Sequence, residues 1–463
     1  MFFINENYIN SLIEDESLQN EDLQRYILRK AGEAGGLTLK ESASLLNISS
    51  PELYDDLFTT ARSVKEKIYG SRIILFAPLH ITNVCVNNCP SCVLRRDNPR
   101  LKRKSLTVKE IVEEVRYLIL AGQRILLLIT GENPEKATVP YIGNIISKIS
   151  ELSINGNSIR RVDVNSLPLG IEEFRELKNF GIGLYQCFLE TYEYNTYLQI
   201  HPHGQLRDYG WRLYAMERAL QAGIDDVGIG SVFGLTDYRF ETLALLSHAF
   251  DLDMKYGIGP HTVSIPRIKP ILNMPAALSS PCGVDDLSLK KLAAVIRLAI
   301  PYTGIVLSDR ESAELRRELL ALGISQISAG GRTSPADYKE SRESLNDYEL
   351  EQFHNGDNRH LDEVVREITL LGYLPSFCTA CYRTQRTGNK FMELTRSGDM
   401  GKTCTLNAIV TFKDYLNNFA SGDIIKPAGN ILRKELNKID VATGKKAEEM
   451  IGKVIAGERD VYL

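Results

Sequence analysis

The sequence predicts an α/β protein built around an eight-stranded (β/α)8 barrel, also called a TIM barrel. Eight short apolar runs recur between residues 72 and 333, and helix-length amphipathic stretches separate them. Polar residues able to take part in chemistry follow the ends of most of these runs. Since the active residues of such barrels lie at the carboxyl ends of the strands, the pattern also predicts where a site should be.

Three regions follow one another along the chain. Residues 1–70 are predicted to form an N-terminal helical segment, in which Thr38 and Glu41 have the spacing of a helix-capping pair. The barrel is predicted over residues 71–333, and residues 334–463 are predicted to form a mostly helical C-terminal domain. The predicted strands are 73–76, 125–129, 161–165, 183–187, 226–230, 257–261, 303–307 and 326–329. The predicted barrel helices include 107–121, 208–222 and 311–322.

Composition indicates a globular protein with no general affinity for nucleic acid or membranes. The chain is 43% hydrophobic and 25% charged, which is ordinary for a soluble domain, and its net charge is only −4. No apolar run approaches the roughly 20 residues of a membrane helix, and the first residues lack a signal-peptide pattern. We therefore expect a cytoplasmic protein, in which clustered cysteines bind metal more often than they form disulfides.

Basic residues concentrate at Arg95 and Arg96 and again from Arg100 to Lys104. Such a run usually lies on a solvated face. A docking surface for a reductant or another partner is the alternative.

Six of the eight cysteines form two compact triplets. The first triplet is Cys85, Cys89 and Cys92, and the second is Cys378, Cys381 and Cys404. A cubane iron–sulfur cluster has four iron corners, so each triplet leaves one iron for a ligand other than cysteine. For the first triplet, a zinc site, which needs four ligands, is the alternative. Cys187 and Cys282 lack partners at a metal-binding spacing, and we expect both to be buried or inert.

The first triplet, with gaps of three and two residues after a predicted strand, resembles the radical S-adenosylmethionine (SAM) superfamily. The resemblance implies that SAM binds the open iron of a 4Fe–4S cluster. One electron from the cluster then cleaves SAM and produces a 5′-deoxyadenosyl radical. It also implies SAM contacts at residues near the strand ends. These are Gly131, Glu132, Asn165, Glu190 and Arg212. For Gly131-Glu132 alone, a simple turn is the alternative.

The second triplet lies in a longer motif, FCTACYRTQRTGNKFMELTRSGDMGKTC, beginning at Phe377. It resembles the C-terminal motif of the radical SAM tyrosine lyases that mature di-iron hydrogenases. Further matching segments are YGWRLYAM at 209–216, IDDVGIG at 224–230, GIGPHT at 257–262 and SQISAG at 325–330. The tyrosine lyase of thiamine biosynthesis shares the barrel but lacks the second cysteine motif.

This resemblance implies that the radical breaks the Cα–Cβ bond of tyrosine and gives p-cresol and dehydroglycine. An auxiliary 4Fe–4S cluster on the second triplet then converts the glycine-derived fragment to carbon monoxide and cyanide for hydrogenase active-site assembly. His261 is the matching ligand of an extra iron beside that cluster. The implied partners are tyrosine, an electron donor such as a ferredoxin or flavodoxin, and downstream maturation proteins, with neither nucleic acid nor membrane among them.

Three of the implied functional residues also have structural alternatives. His261 is predicted at the C-terminal end of the sixth strand, where a purely structural histidine is the alternative. Arg310, at the end of the seventh predicted strand, carries a guanidinium of the kind that binds a substrate carboxylate in a bidentate contact, and Ser328 on the eighth adds a hydroxyl for a hydrogen bond. An arginine–acid pair and a barrel-lining hydroxyl are the structural alternatives.

The sequence departs from the family pattern at four positions on the SAM and substrate side. Ser91 stands where an aromatic residue is usual, and Thr130, Leu189 and Gly331 replace tyrosine, glutamine and serine. The loss of a stacking ring costs about 1 kcal/mol of adenine binding free energy. One unmet buried hydrogen bond costs about 1–3 kcal/mol. A divergent paralogue acting on another amino acid therefore remains an alternative. The non-enzymatic alternative is an iron–sulfur carrier or scaffold protein.

Overall fold

The computed structural model describes residues 2–269, 282–338, 356–397 and 400–463. Four helices precede the barrel: α1 (Glu6–Glu14), α2 (Glu21–Ala31), α3 (Leu39–Leu46) and α4 (Pro51–Tyr69). The predicted capping pair is confirmed at α3. The Thr38 hydroxyl accepts from the Glu41 amide at 3.2 Å, and the Glu41 carboxylate accepts from the Thr38 amide at 2.8 Å. Both residues thereby satisfy amides that the helix itself leaves unpaired.

Eight parallel strands form the predicted closed barrel. They are β1 (Arg72–Thr82), β2 (Ile125–Thr130), β3 (Arg161–Asn165), β4 (Tyr185–Gln186), β5 (Val227–Gly230), β6 (Thr262–Ser264), β7 (Gly304–Leu307) and β8 (Gln326–Ser328). Neighbours pair in sequence order, and β1 closes the ring because it pairs with β2 on one side and β8 on the other. The order confirms the fold class predicted from the sequence.

Helices follow the strands along the chain. They are α5 (Val108–Leu120), α6 (Val139–Glu151), α7 (Ile171–Asn179), α8 (Tyr194–Ile200), α9 (Tyr209–Leu213), α10 (Ala215–Gln221), α11 (Tyr238–Tyr256), α12 (Asp286–Ala299) and α13 (Ala313–Leu322). The predicted helix at 208–222 is interrupted at Tyr214, which separates α9 from α10.

The sixth predicted strand is wrong in position. Residues 257–261 form the connection from α11 into β6, and the strand begins only at Thr262. Gly257 ends α11 in the left-handed conformation, at φ 68°, which suits glycine and turns the chain out of the helix. Gly259 and Pro260 follow that turn, and the strand is supplied by the β-branched residues after His261.

The C-terminal region adds helices and one further strand. Its elements are α14 (Leu361–Leu370), β9 (Leu374–Ser376), α15 (Ala380–Arg383), α16 (Asn389–Arg396), α17 (Met400–Asn418), α18 (Ile425–Leu436) and α19 (Val441–Ile455). Strand β9 pairs in parallel with the first residues of β1, from Arg72 to Ile74. The C-terminal region is therefore joined to the edge of the barrel where β1 begins.

Side chains alternate along each strand between the face that packs against the helices and the face that lines the barrel interior. In β1, Ile73, Leu75 and Ala77 are fully buried in the main hydrophobic core. The opposite side of the wall carries polar residues and glycine. A Cβ atom at Gly228 would lie 2.5 Å from the Thr262 hydroxyl of the neighbouring strand. Among the described residues, no helix combines the length and apolarity needed to cross a bilayer.

Candidate metal centres and cofactor site

The first cysteine loop is fastened to the turn after β2. Cys85 lies three residues beyond the end of β1. The Val86 amide donates to the Glu132 carbonyl at 2.9 Å, and the Gly131 amide donates to the Thr82 carbonyl at 2.7 Å. These bonds hold the loop at the carboxyl-terminal edge of the barrel, where the prediction placed it.

The three thiols of this loop are buried close enough to influence one another. Burial, followed by the neighbouring Cys85, raises the pKa of Cys92 to about 12. Burial and then Cys92 likewise raise the pKa of Cys89, and burial and then Glu132 raise that of Cys85. Three such thiols ionise together only if positive charge compensates them, which the iron of a cluster supplies. The donor set therefore fits an iron–sulfur cluster.

Beside the loop, charged residues from the turn after β2, the segment after β4 and helix α9 form one ion-paired group. Arg212 lies 2.6 Å from Glu132 and 3.5 Å from Glu190. Its Nε also donates to the Phe188 carbonyl at 2.5 Å. The structure thus brings together the three charged residues for which SAM contacts are predicted, with one guanidinium paired to two carboxylates.

Asn87 joins this group and was missed by the sequence analysis. It is fully buried, and its side-chain amide donates to Glu132 at 3.0 Å. Its side-chain oxygen accepts from the Leu206 amide at 3.2 Å. The available signal was its place between Cys85 and Cys89, where a polar residue on so tight a loop needs a partner.

Gly131 permits the turn after β2 to approach the cysteine loop closely. A Cβ atom there would lie 2.5 Å from the Val84 carbonyl oxygen, which belongs to the main chain and cannot swing away. Asn165, the remaining predicted SAM contact, ends β3 as predicted and is half-buried. It pairs through the main chain with Ile129 of β2 and Gln186 of β4.

The segment after β4 contains Glu190, and the buried carboxylate of Glu241 holds it in an unusual conformation. Glu190 has φ 73°, in the left-handed region that non-glycine residues rarely adopt. The next residue, Thr191, donates its hydroxyl to Glu241 of α11, and Ser231 donates to the same carboxylate at 2.7 Å. The Tyr192 amide donates there as well, at 3.1 Å. Glu241 therefore positions Glu190, a role that local sequence does not reveal.

At the barrel wall and its carboxyl-terminal edge, several buried polar atoms have no hydrogen-bond partner among the described residues. They include His80 Nε2, Thr130 Oγ1, Thr262 Oγ1, Asp309 Oδ2 and Ser328 Oγ. His80 is 3% exposed, and burial, followed by nearby Arg310, lowers its pKa to about 3, so the imidazole is neutral. Unpaired buried polar groups are costly, and their concentration here indicates a place where a polar ligand binds.

Arg310 interacts electrostatically with both this interior group and the cysteine loop. Burial lowers the pKa of its guanidinium, and Glu190 and then Cys92 act in the opposite direction. Glu190 lies beside the first triplet, and Cys92 belongs to it. The Arg310 guanidinium is therefore within electrostatic reach of His80 in the interior and of the first triplet.

Two of the departures from the family pattern have structural consequences. A Cβ atom at Gly331 would overlap the Asp309 carboxylate and lie 3.2 Å from Pro78. A serine therefore does not fit at position 331 while Asp309 holds its present position. Leu189 is 3% exposed and packs into the main core, so the leucine is accommodated without a cavity.

The second triplet gathers beside the beginning of β1. Cys378 follows β9, Cys381 lies in α15 and Cys404 lies in α17. The Cys378 sulfur accepts from the Ala380 amide at 3.4 Å. The Cys381 thiol and then Arg72, the first residue of β1, lower the pKa of Cys404 against the effect of burial. An arginine beside thiolates stabilises the negative charge that metal ligation requires, so this donor set also fits a cluster.

His261 lies just before β6, so its predicted position at the C-terminal end of a strand is wrong. Its ring packs on Phe391 of α16 with centroids 4.2 Å apart. Its Nδ1 is 3.4 Å from the Asp226 carboxylate. Asp226 also accepts from the Gly388 amide at 3.2 Å. His261 therefore faces the C-terminal region at the amino-terminal edge of the barrel.

The two triplets thus lie at opposite ends of β1, which has 11 residues and is about 35 Å long. Within the described ranges, no three His, Cys, Asp or Glu side chains converge on one point as a single metal ion requires. Cys187 is buried in the core, and Cys282 is partly exposed.

Comparison with known proteins agrees with this geometry. The model of the Radical SAM superfamily matches residues 79–246, and that of the Biotin and Thiamin Synthesis associated domain matches residues 264–374. A crystal structure of HydG, a maturase of the FeFe-hydrogenase, is 41% identical, covers 100% of both chains and has a TM-score of 0.95. HydG from Carboxydothermus hydrogenoformans is 38% identical over 96% of this chain and 98% of that one, with a TM-score of 0.82. The 2-iminoacetate synthase of Escherichia coli (strain K12) is 29% identical over 75% of this chain and 89% of that protein.

Proposed function

Because this chain belongs to the HydG family of FeFe-hydrogenase maturases, within the radical SAM superfamily, we propose that it is a tyrosine lyase. It cleaves the Cα–Cβ bond of tyrosine to p-cresol and dehydroglycine, and it converts the latter to carbon monoxide and cyanide for the di-iron active site. One observation carries the proposal: Glu132, Glu190 and Arg212 converge beside the first cysteine loop. A protein that only carried clusters would not need this charged group.

Members of the radical SAM superfamily use SAM and a 4Fe–4S cluster. In our proposal Cys85, Cys89 and Cys92 hold that cluster, which when bound supplies the electron for reductive cleavage of SAM. Glu132 accepts hydrogen bonds from the methionine ammonium group, and Arg212 binds the carboxylate. Both contacts are charge-assisted, and both partners are already oriented by buried neighbours.

Substrate binding is assigned to the polar interior of the barrel. Arg310 clamps the tyrosine carboxylate, and Ser328 and His80 provide a hydroxyl and a neutral imidazole for the remaining polar groups of the amino acid. The support is that Ser328 Oγ and His80 Nε2 are buried without partners among the described residues. A zwitterionic substrate with a phenol has enough donors and acceptors to pair with such atoms, and a hydrocarbon has none.

The second centre is assigned to Cys378, Cys381 and Cys404, which hold the auxiliary 4Fe–4S cluster. His261 binds an extra iron beside it, and Asp226 orients the imidazole from 3.4 Å. The 2-iminoacetate synthase of Escherichia coli supports the intermediate, since 2-iminoacetate is another name for dehydroglycine. The partners in this proposal are tyrosine, a one-electron donor such as a ferredoxin or flavodoxin, and the maturation proteins that receive the product.

An anaerobic product assay tests the proposal. Reconstituted protein is given SAM, tyrosine and a reductant, and p-cresol, 5′-deoxyadenosine, carbon monoxide and cyanide are measured. The expected result is all four products. Deoxyadenosine without p-cresol, accompanied by cleavage of another amino acid, would establish the divergent paralogue in its place. Protein that binds SAM but never cleaves it would establish the carrier.

A further inference from the structure

A strongly basic rim borders the first cysteine loop. We use this name for residues 95–104, which contain six basic residues and one aspartate and so carry a net charge of +5. The whole chain has a net charge of −4, so the remaining residues sum to −9. The basic rim is therefore opposite in sign to the rest of the molecule.

The basic rim is braced against the cysteine loop. The Arg103 guanidinium donates to four main-chain carbonyls, those of Asn83 at 2.9 Å, Leu94 at 2.8 Å, Arg95 at 2.5 Å and Arg96 at 3.3 Å. The Asn83 side chain in turn accepts from the Lys104 amide at 2.7 Å. The main chain of the rim is thereby held against the cysteine loop.

The rim is also close to the thiols and open to solvent. Leu101 packs with Val93 and Leu94 in a small apolar cluster on which Cys85 and Cys92 also lie. One layer of side chains thus separates the rim from two of the three sulfurs. The side chains that face outward are Arg96, Arg100 and Lys102, all of which are exposed.

We propose that the basic rim is the docking surface for an acidic one-electron carrier protein that reduces the cluster at Cys85, Cys89 and Cys92. This rests on the proposed function, because only a cluster that must be reduced needs such a partner. One electron leaves the reduced centre of the partner and enters the cluster, and no other group is transferred. An acidic partner is repelled by most of the chain and attracted at the rim, so the field orients its approach.

Charge reversal on the rim tests the surface. We compare the double variant Arg96→Glu, Lys102→Glu with Lys445→Glu, Lys446→Glu on α19. Both pairs are exposed, and both variants change the net charge by the same amount. The probe is a reduced bacterial two-cluster ferredoxin. Its affinity is measured by titration calorimetry, and the rate of cluster reduction by stopped-flow absorbance between about 0.05 and 0.5 M salt.

The rim variant is expected to lose about tenfold or more in both ferredoxin affinity and rate at low salt, and to lose most of its salt dependence. The α19 variant should behave as the unmodified protein does. Photoreduction with a neutral deazaflavin should be equal in all three proteins, because it needs no docking surface. Equal ferredoxin rates in the two double variants would overturn the proposal. So would unchanged reduction together with loss of binding to a single-stranded RNA 20-mer, which would assign the rim to nucleic acid.

The photoreduction with deazaflavin distinguishes a failure of the proposed function from a failure of the proposed docking surface. If the unmodified protein holds a cluster that deazaflavin reduces without any cleavage of SAM, the proposed function fails while the docking result stands by itself. If no cluster can be reduced, the proposed function and the docking surface are both wrong.

Discussion

The guanidinium of Arg212 lies 2.6 Å from the carboxylate of Glu132, although the two residues are 80 positions apart in the chain. Arg212 comes from α9 and Glu132 from the turn after β2. Both are largely buried, so each depends on the other for charge compensation. The proposed contacts for the two ends of the methionine part of SAM are therefore oriented by the same ion pair.

Replacing Glu132 by glutamine should weaken SAM binding. Glutamine keeps the size of the side chain but removes the charge that pairs with the methionine ammonium and with Arg212. The dissociation constant for SAM is expected to rise about 10- to 100-fold, or roughly 1.4–2.8 kcal/mol. Equilibrium binding to reconstituted protein measures it. Glu135→Gln, at an exposed site three residues away, is the matched control and should bind SAM normally.

Replacing Gly131 by alanine should destabilise the protein. The added methyl group meets the Val84 carbonyl at 2.5 Å, so the cysteine loop must move. We expect a loss of about 1–3 kcal/mol, seen as a lower midpoint of thermal unfolding. Gly429→Ala in α18 is the control, since its Cβ meets nothing within 4 Å and alanine favours a helix. A Gly131→Ala protein as stable as that control would contradict the tight approach.

The two cysteine triplets should be separable by mutation. Alanine at Cys85, Cys89 and Cys92 is expected to remove about four irons and all cleavage of SAM. Alanine at Cys378, Cys381 and Cys404 should also remove about four irons, but SAM cleavage should continue without carbon monoxide. Iron analysis and product assays on oxygen-free protein measure both. If cleavage stops equally in the two variants, the division of roles between the centres is wrong.

Replacing His261 by alanine should remove a single iron. In our proposal the imidazole binds the extra iron, while the three thiolates of the second triplet hold the cubane without it. We expect about one iron fewer per chain, with the cluster absorbance retained. His203→Ala, at an exposed histidine, should leave the iron content as it is. An unchanged count in His261→Ala would return His261 to a structural role, packed on Phe391.

Stability should fall as the pH drops below about 6.5. Burial comes first among the causes that lower the pKa of His80, His201 and His248 to about 3 each. The unfolded chain, with a histidine pKa near 6.5, therefore binds these protons before the folded protein does. Each buried histidine should remove about 1 kcal/mol of stability between pH 7 and 5.5.

Thermal unfolding of the cluster-free protein across this range measures the effect. Substituting glutamine for His248 should flatten the pH dependence, and the same substitution at exposed His203 should not. Parallel slopes for the two variants would contradict the assignment of buried neutral histidines.

Local patterns carried much of what could be predicted. The spacing of Cys85, Cys89 and Cys92 lies within one loop, and the capping of α3 lies within one helical turn, so sequence alone indicated both. The alternation of eight apolar strand-like runs with amphipathic helix-length stretches likewise predicted the closed barrel, because each run and each stretch is a local pattern. The His261 strand was placed too early, because glycine and proline before it continue an apolar run without forming ladder bonds.

Patterns within short segments of the chain were enough to predict the fold class, the two cysteine triplets and the family resemblance. Which distant groups meet could be seen only in the folded protein. Closure of the barrel brings Arg212 within hydrogen-bonding distance of Glu132 and places Asn87 in contact with Glu132. It also places Glu241 in contact with the segment that contains Glu190. Pairing of β9 with the start of β1 placed the second triplet at the opposite edge from the first. Such contacts depend on strand register and on loop closure over many residues, which no local pattern encodes.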